Sequence, residues 1–159
     1  TALSALDIGE GDEVLVPPLT FVSSASVILQ QNAKPVFVDI DPSTYCMSPK
    51  DMESKITSRT KAVLPVHIFG HPVDMDPVME IAKRHGLKVI EDAAQSLGAL
   101  YKGKPTGTIG DIGVFSLNCN KIIQCGEGGI AVDLQLIGQL GPAGGDDPTL
   151  DEDVHVVGA

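Results

Sequence analysis

Lys88-Val89-Ile90-Glu91-Asp92-Ala93-Ala94-Gln95-Ser96 is the stretch on which the fold turns. A short β-branched run meets two carboxylates and passes into small residues, the pattern of a buried strand that leaves its sheet near Asp92. Just upstream, Asp76-Pro77 opens a helical segment that runs to Arg84-His85 and closes at Gly86, with cations at the end that the macrodipole prefers. A helical stretch followed by a β-branched run is the signature of a helix packed on the sheet that the strand enters.

The same alternation extends in both directions. Val14-Leu15-Val16 reads as a first strand stopped by Pro17-Pro18, and residues 23–31 have helical periodicity. Val36 to Ile40 reads as a second strand ended at Asp41-Pro42. The next helix takes Ser48 as N-cap and Pro49 as its first residue, and Asp51 completes a capping-box-like pattern. Ala62 to Ile68 forms the third strand, Lys88 to Glu91 the fourth and Gly113 to Leu117 the fifth, with Ile130-Ala131-Val132 as a candidate sixth. Strands alternating with helices predict an α/β fold built on a mostly parallel sheet.

The two ends differ from this frame. Thr1 to Leu6 reads as the second half of a helix that begins upstream, so the chain is expected to be a fragment; no initiator methionine or leader pattern is visible. From Asp133 onward, glycines, Pro142, Pro148 and an acidic cluster from Asp146 to Asp153 read as loop or disorder, with Val154 to Val157 as a candidate short strand.

Composition narrows the function classes. A hydrophobic content of 43% and mean hydropathy of +0.15 over 159 residues exclude general disorder. No apolar run approaches the ~20 residues of a membrane-spanning helix. A net charge of −10, with no Lys or Arg after Lys121, argues against nucleic acid or an anionic membrane as partner. Three cysteines, Cys46, Cys119 and Cys125, are odd in number and form no CxxC pair, which fits a reducing, cytoplasmic setting.

Asp92 and Lys121 are the pair that carries chemistry. A pyridoxal-phosphate enzyme needs a carboxylate to keep the pyridinium nitrogen protonated and a lysine to form a Schiff base with the cofactor aldehyde. An ion pair ~4 Å long at an effective dielectric near 20 is worth about 4 kcal/mol before desolvation, enough to hold that proton near neutral pH. Ligands of open α/β sheets bind beyond the carboxyl ends of the strands, where Asp92 falls. Each residue also has a plainer reading. Asp92 caps the next segment; Lys121, flanked by Ile122-Ile123, is either an amine of lowered pKa or an ordinary surface lysine. Gln95 lies near the ring's phenolic oxygen or is a solvated loop residue. Phe21 stacks on a flat ring or belongs to the core. Ser116 is a candidate phosphate ligand, and Gly126-Glu127-Gly128-Gly129 is either a close cofactor approach or a plain hairpin. His67 and His71 straddle Gly70 and have no third ligand nearby, so no metal site is expected. No GxxxxGK[ST] and no strand-anchored GxGxxG occurs.

Taken in order, Gly11-Asp12-Glu13-Val14 with Pro17, Thr20-Phe21-Val22, Pro35 to Asp39, Pro65-Val66-His67, Glu91 to Gln95, Gly110-Asp111, Phe115-Ser116 and Lys121 with Gly126 to Gly129 closely resemble the DegT/DnrJ/EryC1/StrS family of sugar aminotransferases, over about residues 2–132. The resemblance implies a three-layer α/β/α large domain of pyridoxal-phosphate fold type I and a homodimer with the cofactor at the subunit interface. It implies transfer of an amino group from glutamate or glutamine to a keto-sugar, commonly nucleotide-linked. Carried over by position, Lys121 is the Schiff-base lysine and proton shuttle, Asp92 pairs with the pyridinium, Gln95 lies near the phenolic oxygen, Phe21 stacks on the ring and Ser116 holds phosphate. Members with His in place of that lysine are dehydratases, so Lys121 favours transamination.

The family's Ser-Gly-Thr phosphate segment would precede Thr1, and the sequence after Val132 departs from the family pattern. The expected organisation is therefore a partial cofactor-binding large domain over 1–132 and an unmatched acidic, Gly/Pro-rich tail over 133–159. Incomplete burial of the sheet and a tendency to associate follow from missing elements. A non-catalytic or vestigial fragment of such an enzyme is the alternative to a working aminotransferase, and an unrelated α/β ligand-binding domain is the third reading.

Overall fold

A computed structural model describes residues 1–134 and the backbone of His155–Val157. A short helix α1 (Ala2–Ala5) leads to β1 (Glu13–Val16), whose four residues are all buried. Strands β2 (Lys34–Phe37), β3 (Thr60–Val63), β4 (Lys88–Asp92) and β7 (Ile112–Ser116) join β1 in parallel, in the order β2-β1-β3-β4-β7. β8 (Gly129–Asp133) then pairs antiparallel with β7, and β9 (His155–Val157) antiparallel with β8.

Helix α2 (Ser23–Gln30) links β1 to β2, α3 (Pro49–Ser54) links β2 to β3, and α4 (Met75–His85) links β3 to β4. The chain steps one way from β1 to β2 and the opposite way from β2 through β3 to β4. With right-handed crossovers, α2 falls on one face of the sheet and α3 and α4 on the other, giving three layers. An ion pair of 2.7 Å between Arg84 and Glu53 ties α4 to α3, in agreement with their common face. Leu15, Ile28, Met52, Met75 and Ile90 are among the largest side chains closed off between the layers.

The helix boundaries follow the local chemistry. Ser48 caps α3 by accepting from the Asp51 N–H at 3.4 Å, with Pro49 in the first turn. Asp51 does not complete the capping box, because the Ser48 N–H is already donated to the Asp39 carbonyl at 2.9 Å; its carboxylate instead accepts from the Asp39 N–H at 2.6 Å. Gly86 closes α4 in the left-handed region (φ 65°) behind Lys83, Arg84 and His85.

Two strands are shorter than the sequence predicts. β2 is a half-exposed edge strand, and after Phe37 the chain turns away from the sheet, with Ile40 bridging Met47 instead. β3 ends before Pro65, which has no N–H for the ladder; Val66 makes one isolated parallel bridge to Asp92, and Ile68–Gly70 forms a 3₁₀ turn. One hairpin was not expected: β5 (Leu100–Tyr101) and β6 (Lys104–Pro105), joined at Lys102 (φ 49°) and Gly103 (φ 83°). The expectation for 133–159 falls mostly outside the described residues. Its described part is Asp133 at the end of β8, Leu134 after it, and the strand at His155–Val157.

Candidate active site

The parallel strands end at a cavity of about 800 Å³. Leu64, Val66, Ile90 and Val114 line it from the sheet, and Phe21, Asp92, Gln95, Ser116 and Lys121 all line it too. Every site residue expected from the sequence is thus brought to one place.

Alternation along β4 makes this placement. Ile90 and Asp92 share the cavity face, which puts Val89 and Glu91 on the opposite one. The backbone of Asp92 is fixed on both sides, its N–H donating to the Pro65 carbonyl at 2.9 Å and its carbonyl accepting from the His67 N–H at 3.1 Å. Its Oδ1 accepts from the Ala94 N–H at 3.1 Å, so the capping reading holds for that oxygen. Its Oδ2 accepts from the Ser24 hydroxyl at 2.8 Å, and Thr20 Oγ1 lies 2.8 Å from Ser24 Oγ. An ionised carboxylate only accepts, so Ser24 spends its single proton on Asp92 and Thr20 donates to Ser24. Three side chains form one oriented chain that ends on the carboxylate.

Gln95 is oriented by its neighbour. Its Oε1 accepts from the Phe69 N–H at 2.9 Å, which makes the other end of the amide an NH₂ donor at the cavity. Phe21 is 70% exposed at the rim, which removes the core reading for it. Ser116 ends β7 opposite Gly129 of β8. Lys121 is half-buried in the connection between those strands, its N–H donating to the Asn118 carbonyl at 2.9 Å. The apolar setting that Ile122 and Ile123 suggest for Lys121 is not formed by them, since they are 75% and 59% exposed. The glycine run is a hairpin connection, and Glu127, Gly128 and Gly129 also border the cavity.

On the opposite face of β4, Glu91 is fully buried and was not singled out from the sequence. Its carboxylate accepts from the backbone N–H groups of Gly107 (2.8 Å), Ile109 (2.6 Å) and Gly110 (2.6 Å), with His67 Nε2 at 3.0 Å. Val73 donates to His67 Nδ1 at 3.0 Å, so Nε2 carries the proton given to Glu91. Burial pushes the Glu91 carboxyl upward, but His67 and the three amides outweigh it and hold the group below its ordinary value. His67 is therefore a structural partner of Glu91 beside Asp92. The hint in the sequence was its polar place in an apolar run; the hints for Ser24 and Thr20 were weaker still.

The profile of the DegT/DnrJ/EryC1/StrS aminotransferase family matches residues 1–134. The chain belongs to this family. GDP-perosamine synthase of Caulobacter vibrioides is 52% identical over 129 residues, covering 81% of this chain and 35% of that protein. L-Glutamine:scyllo-inosose aminotransferase of Streptomyces griseus is 50% identical over 131 residues, covering 82% and 31%. Among solved structures, an aminotransferase from Psychrobacter cryohalolentis is 47% identical with a TM-score of 0.80, covering 82% of this chain and 33% of its own. The chain thus spans about a third of the length of the relatives it matches.

DegT/DnrJ/EryC1/StrS enzymes use pyridoxal phosphate. The donor set here fits that group: a carboxylate oriented by Ser24, an amide NH₂, an aromatic ring at the rim, a strand-end hydroxyl and a lysine share one cavity. Among the described residues, no helix is long and apolar enough to cross a membrane.

Proposed function

We propose that this chain contributes the central part of the active site of a pyridoxal-phosphate aminotransferase that moves an amino group from glutamate or glutamine to a keto-sugar, commonly nucleotide-linked. Residues 1–132 form part of its cofactor-binding large domain. Convergence of Phe21, Asp92, Gln95, Ser116 and Lys121 on one cavity, in a member of this family, carries the reading. The names of the relatives, a perosamine synthase and a glutamine-dependent inosose aminotransferase, support the substrate class.

Bound in this cavity, the cofactor supplies an aldehyde for the amine and an electron sink for the substrate Cα. Asp92, held by Ser24, keeps a proton on the ring nitrogen. Gln95 would donate its NH₂ to the phenolic oxygen, Phe21 would cover the ring, and Ser116 would donate to phosphate. Lys121 would hold the cofactor through its amine, and that amine would carry the proton between Cα and C4′. A homodimer with the cavity at its interface would cover the exposed apolar side chains of Phe21, Ile122 and Ile123. The free thiols of Cys46, Cys119 and Cys125 fit a cytoplasmic setting.

The test is a half-reaction. With pyridoxal phosphate and glutamate or glutamine but no keto-sugar, the chain should release up to one equivalent of the keto acid, and Lys121→Ala should release none. No release from the unaltered chain would favour a non-catalytic fragment of such an enzyme.

A further inference from the structure

The connection between β7 and β8, which carries Lys121, is closed by a side-chain pair for which the proposed chemistry has no role. Asn118 Nδ2 donates to both carboxylate oxygens of Glu127, at 2.9 Å each. Asn118 Oδ1 accepts from the Asn120 N–H at 3.1 Å, which fixes the orientation of the amide. The Asn118 carbonyl accepts from the Lys121 N–H at 2.9 Å, so one residue holds both the far side of the connection and the backbone of the lysine. Two backbone bonds close the base: Leu117 N–H to the Gly128 carbonyl at 2.8 Å, and Cys125 N–H to the Leu117 carbonyl at 3.0 Å. Asn118, Glu127 and Lys121 all border the cavity.

A lysine on a twelve-residue connection, flanked by exposed Ile122 and Ile123, has no apolar packing from these neighbours to restrict its backbone. Its amine reaches one reacting atom reproducibly only if the backbone beneath it is fixed, because misplacement by about 1 Å costs on the order of 100-fold in rate. We propose that Asn118 and Glu127 are positioning residues for Lys121, a charge-assisted clasp that fixes the lysine-bearing turn. This rests on the reading of Lys121 as the Schiff-base lysine. Glu127 acts through Asn118, and Asn118 acts through the Lys121 backbone.

The clasp is tested by trapping with borohydride after adding pyridoxal phosphate to the full chain, following the rate and site of labelling by mass spectrometry. Asn118→Ala and Glu127→Ala should each slow labelling of Lys121 by about tenfold, the effect of one lost hydrogen bond to a charged group, and spread label to other lysines. Because both residues act as one unit, the double variant should be no slower than either single one. Glu127→Gln keeps a carbonyl oxygen for Asn118 and should recover most of the rate. Thermal unfolding should barely move, which separates positioning from folding. Labelling of Lys121 within twofold of the unaltered chain in both single variants, or effects that add in the double variant, would overturn the proposal. If the unaltered chain places no label on Lys121, the reading of the lysine itself fails and the clasp falls with it.

Discussion

Ser24 and Asp92 stand 68 residues apart in the chain, and the serine hydroxyl donates to the aspartate Oδ2 at 2.8 Å. A residue of α2's first turn thereby sets the orientation of a carboxylate at the end of β4. The bond is charge-assisted and partly shielded, and because the carboxylate only accepts, the serine proton goes to Asp92 and Thr20 donates to the serine oxygen.

Replacing Ser24 with alanine should weaken pyridoxal-phosphate binding about tenfold, the equivalent of one hydrogen bond to a charged group. Ser24→Thr retains the hydroxyl and should stay near the original affinity. Equilibrium dialysis against the cofactor checks both, and equal affinities for alanine and threonine would remove Ser24 from the site.

Asp92→Asn keeps the shape of the side chain but removes the charge. The glutamate half-reaction should slow by about 10³, since about 4 kcal/mol of ion pairing disappears. Borohydride labelling of Lys121 should persist, because the lysine needs no protonated ring nitrogen to be trapped. Single-turnover kinetics on the asparagine variant decides the matter.

Glu91 should be a stability determinant. Removing its carboxylate leaves His67 and three backbone amides without their buried acceptor, and Glu91→Ala should cost about 3–5 kcal/mol in denaturant unfolding. The pH dependence has a definite sign. Glu91 and Glu13 both have folded-state values held below the ordinary 4.5, Glu13 at about 2 through Thr57, Arg59 and Lys34. A lowered acid stabilises above its unfolded value and loses that contribution as pH falls through its folded value. The melting temperature should therefore decline as pH falls below 4.5 and keep declining toward 2, more shallowly in Glu13→Gln.

Gly113→Ala should destabilise the chain by about 3 kcal/mol, at the upper end of overpacking effects. A Cβ there would sit 1.9 Å from the Gly107 carbonyl oxygen, and Gly107 in turn has no room because Phe115 lies 2.4 Å from its own added Cβ. Gly126→Ala, with open space around it, should cost only the strain of its positive φ of 93°. Unfolding midpoints for the two variants give the comparison.

Much of this arrangement was legible in the chain. The strand at Val14–Val16, the Ser48 cap and the Gly86 stop are local events, decided by residues within a turn of one another. Asp92 was legible as a candidate because the end of β4 is where such folds bind ligands, whereas Gln95 and Lys121 lie beyond the strand ends and were singled out by their sequence context and the family resemblance. What escaped depends on contacts between distant segments. Ser24 looks like any helix serine until β4 is beside it, and Glu91, an acid in an apolar run, finds its partners only when residues 107–110 wrap it. The β5–β6 hairpin left no periodic trace because each strand has two residues, and Lys102 gives no compositional sign of its positive φ. Ile122 and Ile123 misled in the other direction, as apolar residues that the described structure leaves exposed.

The central claim is that Lys121 is the amine of a pyridoxal-phosphate site, and the most direct measurement is where that cofactor attaches. The full chain is incubated with pyridoxal phosphate, reduced with borohydride, digested and mapped by mass spectrometry. A single phosphopyridoxyl group on Lys121, lost in Lys121→Ala without appearing elsewhere, is the predicted result. A label spread over Lys50, Lys61, Lys83 and other surface lysines in proportion to their exposure would contradict it.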